Sequence, residues 1–256
     1  MTAASHETLA PPVRSSSPVC YQNTLIVIPA FNEAKNIGTV LDEIHQELPG
    51  VPVLVINDGS SDATPRIAEE HGAQVISLPY NSGYGVALQT GFIYASQNNY
   101  TVVVQMDGDR QHSSSSIKCL LQEAQQEDVD VVIGSRFLEN RIYKTSLARK
   151  IGIFIFGKLA SILIGQKVTD PTSGFQAIKG DAIKFMASDF YPPDYPDADF
   201  IILLHRFGYK IRELPVVMRP NVDNKSMHRG HKTIYYVFKM FLSIIITLLR
   251  QKPGRK

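Results

Sequence analysis

The strongest constraint on the fold is a series of short, continuous runs of Val, Ile and Leu, each followed by a polar stretch. These runs lie at residues 25–28, 53–56, 73–78, 101–106 and 129–134. The segment after the first run has apolar residues at helical spacing, at Ile37, Val40, Leu41, Ile44 and Leu48. Continuous apolar strands separated by helices are typical of a parallel sheet covered on both faces. The sequence therefore predicts an α/β fold.

Two local boundaries can be predicted from proline and from helix-capping residues. The first strand is expected to break at Pro29, because proline has no backbone N–H for a sheet. A helix after the second strand is expected to be capped by Ser61 or Asp62, with Pro65 in its first turn and Gly72 just past its end.

Composition limits the class of protein. The chain has 256 residues, 44% of them hydrophobic, which is enough for one large α/β domain or one domain with an appendage. A net charge of +2 does not favour nucleic acid as a partner. Cys20 and Cys119 lack metal-type spacing and are interpreted as free thiols in a reducing compartment. We expect residues 1–22 to be a disordered leader, because they are rich in Ser, Ala and Pro and lack the apolar segment of a signal peptide.

Polar side chains follow the predicted strands. In open α/β sheets, ligands bind beyond the carboxyl ends of the strands. The segments at those ends are residues 29–33, 57–60, 79–81 and 107–109. No G-x-G-x-x-G follows the first strand and no G-x-x-x-x-G-K-[ST] occurs, which argues against a dinucleotide fold and a P-loop enzyme. The sequence thus predicts a ligand site at this edge of the sheet that is neither a dinucleotide-binding site nor a P-loop.

Two carboxylates, Asp107 and Asp109, follow the fourth strand and are separated only by Gly108. In an extended segment residues i and i+2 point the same way, so the two can aim at one point. Their charges repel unless a cation or a proton lies between them, and oxygen ligands suit Mg²⁺ or Mn²⁺. Gly108 would let the backbone turn sharply and let a ligand approach. The alternative is a polar turn with an Asp at a helix cap.

Six segments occur in an order that resembles the inverting nucleotide-sugar glycosyltransferases of family two. They are VIPAFNEAKNIGTVL, VLVINDGSSDAT, NSGYGVALQTGF, VVQMDGDRQH, VIGSRF and DPTSGFQAI, and the resemblance spans residues 24–220. The chain is most similar to the polyprenyl-phosphate sugar transferases of the dolichol-phosphate mannosyltransferase type. The resemblance implies a GT-A fold, in which a Rossmann-like, mostly parallel sheet has helices on both faces. It also implies a nucleotide-sugar donor and a divalent metal.

The resemblance assigns roles to individual residues. The positions that match the stretch around the donor's base and ribose are Pro29, Ala30, Asn32 and Glu33, with Asp58 matching a carboxylate that contacts the base. Asp107, Gly108 and Asp109 match the motif that binds metal and diphosphate, and Gln111 is a further candidate metal ligand. His112 lacks ligand spacing and is treated as a non-ligand. Gln176 stands where relatives often have Arg, which puts one phosphate or donor contact in doubt.

Five further polar residues are candidates for catalysis or for acceptor binding. Arg136 and Arg149 match positions at which a guanidinium would hold the acceptor phosphate; the alternatives are a structural pair with a loop carboxylate and an exposed helix face. Asp170 begins a segment that lines the donor-sugar pocket in the family, although Asp before Pro also starts turns. Asp197 and Asp199 stand where acidic residues are common; either would be the base for a hydroxyl acceptor, or a helix-terminal carboxylate.

The C-terminal segment has an apolar run at residues 233–249 with one narrow polar stripe. The stripe consists of Lys232, Tyr236, Lys239, Ser243, Thr247 and Arg250. Lys239 would cost about 2.5–3.5 kcal/mol near a bilayer centre, which favours an amphipathic helix in the membrane interface over a span. The alternative is a helix that packs on the domain or on a second copy. Phe154 and Ile155 are candidates for a second apolar surface.

These observations predict an enzyme divided into a leader (1–22), a GT-A domain (23–225) and a C-terminal membrane-associating helix with a basic tail (226–256). It would be peripherally attached to the cytoplasmic face of the membrane and move a sugar to a polyprenyl phosphate in cell-envelope synthesis. The alternatives are transfer to a sugar hydroxyl, a nucleotidyltransferase, and a non-catalytic nucleotide-sugar-binding protein. A second copy of the chain is a further candidate partner.

Overall fold

The computed structural model describes residues 21, 23–138, 147–219 and 231–250, except for the side chains of residues 147–149 and 231–236. The strands in these ranges are β1 (Thr24–Ala30), β2 (Val53–Asn57), β3 (Gln74–Ser77), β4 (Val102–Gln105), β5 (Val131–Ser135), β6 (Gln176–Lys179) and β7 (Ile211–Pro215). The helices are α1 (Ile37–Glu47), α2 (Thr64–Glu70), α3 (Tyr84–Gln97), α4 (Ser115–Ala124), α5 (Leu147–Ile164), α6 (Asp181–Met186), α7 (Ala198–Arg206) and α8 (His231–Leu249).

The seven strands form one sheet in the order β3-β2-β1-β4-β6-β5-β7. Strands β3, β2, β1 and β4 are parallel to one another, whereas β6 runs antiparallel to both β4 and β5. β7 is again parallel to β5. The expectation of a mostly parallel α/β sheet is confirmed, and the antiparallel β6 makes the sheet mixed. The reversal brings the loop before β6 to the edge at which β4 ends.

The two faces of the sheet are covered by different helices. Alternate residues of β1 point to opposite faces, so that Leu25 and Val27 join one buried cluster while Ile26 and Ile28 join the other. The first cluster includes residues of α3, α5, α6 and α7, and the second includes residues of α1 and α4. Burial on both faces explains why the strands read as continuous apolar runs rather than as alternating ones.

The prediction that β1 breaks at Pro29 is wrong. The strand continues through Pro29, which pairs in register with Ile56 of β2, to Ala30. The pairing of β1 with β4 ends at Val27. Beyond that point β1 has a strand neighbour on one side only, so a missing N–H on the other side costs no ladder hydrogen bond.

The helix that follows β2 begins slightly later than its predicted cap. The N-cap position is Ala63, and Pro65 lies in the first turn as expected. Asp62 nevertheless contributes a carboxylate oxygen, which accepts a hydrogen bond from the Thr64 backbone N–H at 3.0 Å. Asp62 therefore satisfies an N–H group of the first turn from one position farther out than a standard cap.

Candidate active site

The loops that follow β1 and β2 are held together by hydrogen bonds. Asn32 has a positive φ of 55°, and its backbone N–H donates to Ser60 Oγ at 3.0 Å. Its side-chain oxygen accepts from the Ser61 N–H at 2.9 Å, and the Glu33 N–H donates to Thr64 Oγ1. Pro29 and Ala30 are buried within β1. These predicted donor-binding residues therefore lie together at the carboxyl edge of the sheet.

Asp58 fixes a third loop to the same edge. Its two carboxylate oxygens accept hydrogen bonds from the backbone N–H groups of Ser82, at 2.6 Å, and Gly83, at 3.0 Å. Gly59 has a φ of +68°, and a Cβ there would lie 2.5 Å from the Tyr80 carbonyl carbon. Only glycine permits this approach. Asp58, which is buried, thus shapes the loop that leads into α3.

Asp107 is the centre of the site. One carboxylate oxygen accepts from the Tyr84 hydroxyl at 2.8 Å, and the other lies 3.1 Å from His112 Nε2. Burial opposes its ionisation, but the hydrogen bond and charge of His112, the Tyr84 hydroxyl and the charge of Arg136 outweigh burial and lower the pKa of Asp107. A third of the side chain is exposed. An ionised carboxylate is therefore presented to the cleft.

The neighbouring Asp109 has the opposite electrostatics. Burial and then the negative charge of Asp107 raise its pKa, against hydrogen bonds from Gln111. The Gln111 backbone N–H donates to Asp109 at 3.0 Å, and the Gln111 side-chain amide donates to the same carboxylate. The structure thus brings Asp107, Asp109 and Gln111 together, and the two carboxylates repel each other as the sequence predicted.

Gly108 lies in the bend that follows β4, as expected, but its backbone conformation does not require glycine. Gly108 does not have a positive φ; Arg110, with φ of 66°, makes the left-handed turn instead. A Cβ at Gly108 would meet Ile28 at 3.4 Å, which is ordinary van der Waals contact. The glycine that the site needs is Gly174, where a Cβ would lie 2.6 Å from the Tyr84 hydroxyl and 3.3 Å from an Asp107 oxygen. This close approach arises because β6 pairs with β4, which brings the loop before β6 beside Asp107.

His112 and Tyr84 are residues that sequence reasoning missed. The His112 ring is buried, with its centroid 4.7 Å from that of Phe175, and its Nε2 faces Asp107. Within the described part of the chain no partner reaches its Nδ1. The signal available in the sequence was the position of His112 at the end of the same polar loop as Asp107.

The chemistry of this donor set fits a hard divalent cation. Within the described ranges no group of three or more His, Cys, Asp or Glu side chains is arranged to hold a metal. Asp107 and Asp109 supply two carboxylates, and Gln111 lies beside them. The raised pKa of Asp109 is the electrostatic cost that a cation between the carboxylates would relieve. The remaining ligands would have to come from a diphosphate or from water, as is usual for Mg²⁺.

Arg136 and Asp170 form a buried pair. The Arg136 Nε and Nη2 atoms donate to the two Asp170 oxygens at 2.6 Å each, and Nη2 also donates to Thr172 Oγ1 at 2.7 Å. The two side chains are 5% and 0% exposed. The backbone N–H of Asp170 donates to Glu213, whose pKa is raised chiefly by burial. This geometry is that of the structural alternative for Arg136.

The structure also locates other residues that the sequence singled out. Gln176 is buried, and its side-chain amide donates to the Ser173 carbonyl at 2.8 Å, so it supports the loop that carries Gly174. Arg149 lies in α5, but its side chain is outside the described residues, as is Cys20. Cys119 is a free, exposed thiol.

The segment that leads into α7 completes the site. Tyr195 stacks on Tyr84 with ring centroids 5.6 Å apart, and Tyr84 in turn binds Asp107. Asp197 occupies the N-cap position of α7, and Asp199 lies in the first turn, which agrees with the helix-terminal alternative considered from the sequence. Both are buried, and burial raises the pKa of Asp199. An acidic helix terminus is thus connected to Asp107 through two aromatic rings.

Comparison with known proteins identifies the family. The family model described as "Glycosyl transferase family 2" matches residues 25–186. The chain belongs to glycosyl transferase family 2. An uncharacterized protein of Methanocaldococcus jannaschii is 32% identical over 86% of this chain and 90% of its own length. A dolichyl-phosphate hexose transferase of Haloferax volcanii is 30% identical over 81% of this chain and 87% of its own.

The solved structures that resemble this family 2 glycosyltransferase agree on the fold. Glucosyl-3-phosphoglycerate synthase of Mycobacterium tuberculosis, in complex with UDP, has a TM-score of 0.67 at 20% identity; the match covers 90% of this chain and 82% of that one. The same synthase was crystallised with Mn²⁺ and UDP-glucose, with a TM-score of 0.65 at 21% identity and coverage of 88% and 78%. The expected GT-A architecture is confirmed.

Proposed function

We propose that this glycosyltransferase is metal-dependent and inverting, and that it moves a sugar from a nucleotide-diphosphate sugar to a polyprenyl phosphate at the cytoplasmic face of the membrane. The observation that carries the proposal is an exposed apolar surface on two helices, one of which, α8, packs on α7 and on the segment that leads from the carboxylate site into α7. Relatives named for transfer to dolichyl and undecaprenyl phosphate support the choice of acceptor.

The donor would occupy the carboxyl edge of the sheet. The loops of Asn32, Glu33 and Asp58 would face the nucleoside, and Asp107 and Asp109 would hold a Mg²⁺ or Mn²⁺ against the diphosphate. The bound metal would neutralise charge on the leaving diphosphate. The ionised Asp107 and the buried surroundings of Asp109 are suited to this task because a cation gains most where carboxylates are poorly solvated.

The reaction would be a single displacement at the anomeric carbon. An oxygen of the acceptor phosphate forms the new bond to that carbon while the bond to the donor diphosphate breaks, and the nucleoside diphosphate leaves with the electron pair. Attack opposite the leaving group inverts the configuration. A phosphate monoester is already ionised at neutral pH, so it needs cations for orientation rather than a base. Arg149 remains our candidate for that cation; Arg136 would serve only if its pairing with Asp170 opens.

The apolar surface is formed by α5 and α8. Phe156 of α5 and Phe241 of α8 contact each other with ring centroids 5.3 Å apart. Exposed large apolar side chains on these two helices include Ile151, Phe154, Ile155, Ile162, Phe238, Leu242, Ile245, Ile246 and Leu249. Over the described residues, no helix meets the length and hydropathy needed to span a bilayer. A surface of this kind suits insertion into one leaflet.

Basic residues near this surface favour a membrane as the occupant. Lys150 and Lys158 of α5 are exposed, and the sequence after α8 ends in Lys252, Arg255 and Lys256. Cations at the rim of an apolar helix surface attract anionic headgroups. We therefore propose that residues 226–256 attach the GT-A domain of residues 23–225 to the membrane and that the leader of residues 1–22 takes no part.

Transfer to a sugar hydroxyl is the second candidate function. Asp199 is buried, and one of its oxygens has no hydrogen-bond donor within the described part of the chain. A raised pKa is what a general base near neutral pH requires. A hydroxyl acceptor would therefore be activated by Asp199, whereas a phosphate acceptor would not need this residue as a base.

A two-acceptor assay tests the proposal. The purified protein, with Mn²⁺ and a panel of UDP-, GDP- and dTDP-sugars, is offered either a polyprenyl phosphate in anionic vesicles or a soluble sugar. We expect transfer to the lipid phosphate with inverted anomeric configuration and loss of transfer on chelation of the metal. Transfer to the soluble sugar alone, abolished by Asp199→Asn, would overturn the lipid-phosphate assignment.

The membrane surface is tested separately by Phe238→Ser combined with Leu249→Ser. These side chains are 67% and 77% exposed, so the change leaves the core intact. Burying one such side chain contributes about 1.5–3 kcal/mol, so we expect vesicle binding to fall by roughly 10²-fold or more. Ile93→Ser, on α3 away from this surface, is the matched control and should bind vesicles like the unmodified protein.

A further inference from the structure

Three residues of the α8 polar stripe, Lys239, Ser243 and Thr247, lie against the protein. Lys239 is paired with Asp194, and the Ser243 hydroxyl donates to Asp199. Thr247, one turn further on, is 6% exposed. The stripe that the sequence shows on an apolar helix is therefore the side that packs on the segment around α7, and the apolar side faces outward. One helix thus contacts both the proposed membrane and the acidic start of α7.

A cavity of about 140 Å³ lies between α8 and the start of α7. Its lining includes Tyr195, Asp197, Asp199, Lys239 and Ser243. Asp199 is 7% exposed; its Oδ2 receives the Ser243 hydroxyl, while Oδ1 is buried and meets no donor from the described residues. A buried carboxylate oxygen without a donor is costly, and the cavity beside it offers room for a donor from a ligand.

The cavity is next to the carboxylate site. Tyr195 lines it and stacks on Tyr84, and the Tyr84 hydroxyl donates to Asp107 at 2.8 Å. The backbones next to the two stacked rings are also closely packed, because a Cβ at Gly85 would lie 2.2 Å from the Asp194 carbonyl oxygen. The cavity and the proposed diphosphate site are therefore separated by one pair of stacked rings.

We propose that Ser243 is a positioning residue of the active site, and that α8 forms a wall of the substrate cavity in addition to contacting the membrane. Ser243 holds the Asp199 carboxylate at the cavity wall through Oδ2. This leaves Oδ1, which has no donor among the described residues, to accept a hydrogen bond from a sugar hydroxyl. This inference rests on the proposed glycosyl transfer, in which a hexose must lie beside the diphosphate. If Ser243 has this role, the substrate site is complete only when α8 is packed on α7.

The charges around Asp199 determine what the loss of Ser243 should do. The charged or titratable groups that line the cavity are Lys239 from α8, and Asp194, Tyr195 and Asp197 from the preceding segment. On α5, which lies against α7, Lys150 and Lys158 are exposed. Burial raises the pKa of Asp199, and the hydrogen bond from Ser243 opposes this rise. Removing the hydroxyl should therefore raise the pKa of Asp199 further.

Carbon-13 NMR titration of the Asp199 carboxyl in the full chain measures this directly. We expect Ser243→Ala to raise the Asp199 pKa by about one unit, since one hydrogen bond to a carboxylate is lost. Ser243→Thr keeps the hydroxyl and should restore the original value. Thr247→Ala removes another buried hydroxyl of the same stripe and should leave the value unchanged. If Ser243→Ala does not fold, Ser243→Cys, a weaker donor, should give a smaller rise.

The acid limb of the pH–rate profile provides the second measurement. Because Asp199 accepts a hydrogen bond as the carboxylate, activity should fall as pH drops through its pKa, and Ser243→Ala should move that limb to higher pH. Loosened packing alone would lower the rate at all pH values and would do so in Thr247→Ala as well. An unmoved Asp199 pKa, or equal effects of the two variants, overturns the inference. A wrong acceptor would instead change the product and leave the NMR result intact.

Discussion

Two acidic residues of this protein, the half-buried Asp107 and the buried Asp170, are stabilised in opposite ways. Asp170 is fully buried, and its charge is matched by the bidentate guanidinium of Arg136. Asp107 is a third exposed, and its side chain is hydrogen-bonded to the Tyr84 hydroxyl and the His112 ring. The charge of Asp170 is thus neutralised within the protein, whereas Asp107 has another carboxylate, Asp109, beside it.

The difference separates a structural clamp from a binding site. A buried charge with its own partner has little to gain from a ligand, and breaking the pair is costly. Burial and the adjacent charge of Asp107 raise the pKa of Asp109, so a cation bound between these two carboxylates would be stabilised. The same residue type therefore carries different functions, according to whether the fold supplies the opposite charge.

The largest effect is expected for Arg136→Ala. It leaves the Asp170 charge buried without its guanidinium, which costs about 3–5 kcal/mol in the free energy of unfolding. Urea denaturation followed by circular dichroism measures the loss. Arg212→Ala is the control: its ion pairs with Glu123 and Asp128 are partly exposed, so it should lose less than about 1 kcal/mol. If Arg136→Ala keeps full stability yet abolishes transfer, the arginine contacts substrate and the clamp interpretation is wrong.

The next largest effect is expected for Asp109→Ala, on binding rather than on stability. Removing one of the two carboxylates should weaken Mn²⁺-dependent donor binding by about 10²-fold, because a charge that holds the cation is lost. Stability should be unchanged or slightly higher, since the repulsion with Asp107 disappears. Titration calorimetry with the nucleotide sugar, with and without chelator, measures binding. Unchanged affinity and metal dependence would exclude Asp109 as a ligand.

A smaller effect is expected for Tyr84→Phe, which removes the hydroxyl that donates a hydrogen bond to Asp107. Loss of a hydrogen bond to a metal-binding carboxylate costs about tenfold in metal affinity. Gly174→Ala should act in the same direction, because its Cβ would lie 2.6 Å from the Tyr84 hydroxyl. Mn²⁺ titration followed by electron paramagnetic resonance compares both variants with Tyr94→Phe, a tyrosine that bonds Gln74 far from the site. Equal affinities in all three would separate Tyr84 from metal binding.

The smallest effect concerns Asp62, an exposed carboxylate stabilised by backbone N–H groups. Burial slightly opposes its ionisation, but the hydrogen bonds from Thr64 and Ala34 lower its pKa below the ordinary 3.8. Its stabilising contribution is therefore complete above that value and is lost as the pH falls through the lowered pKa. Asp62→Asn should lower the melting temperature at pH 6, with the difference from the unmodified protein shrinking below about pH 4. A difference independent of pH would contradict this assignment.

Most of the fold could be predicted from local patterns. The apolar runs at β1, β2 and β4 and the helical spacing of α1 are properties of neighbouring residues, so they survive without tertiary information. The antiparallel β6 and the continuation of β1 through Pro29 could not be predicted in this way. Both depend on which strand lies alongside, and strand pairing joins residues far apart in the chain.

The sequence by itself determined the family, the order of strands and helices from β1 to β5, and the acidic loop of Asp107 and Asp109, because these are encoded in short contiguous segments. Only the tertiary structure decided that Arg136 meets Asp170, that Gly174 rather than Gly108 is the crowded glycine, and that the polar stripe of α8 reaches Asp199. Each of these contacts joins residues that are more than 30 positions apart in the chain. Contacts at that separation follow from how the layers pack, and no periodicity along the chain specifies which two residues will face each other.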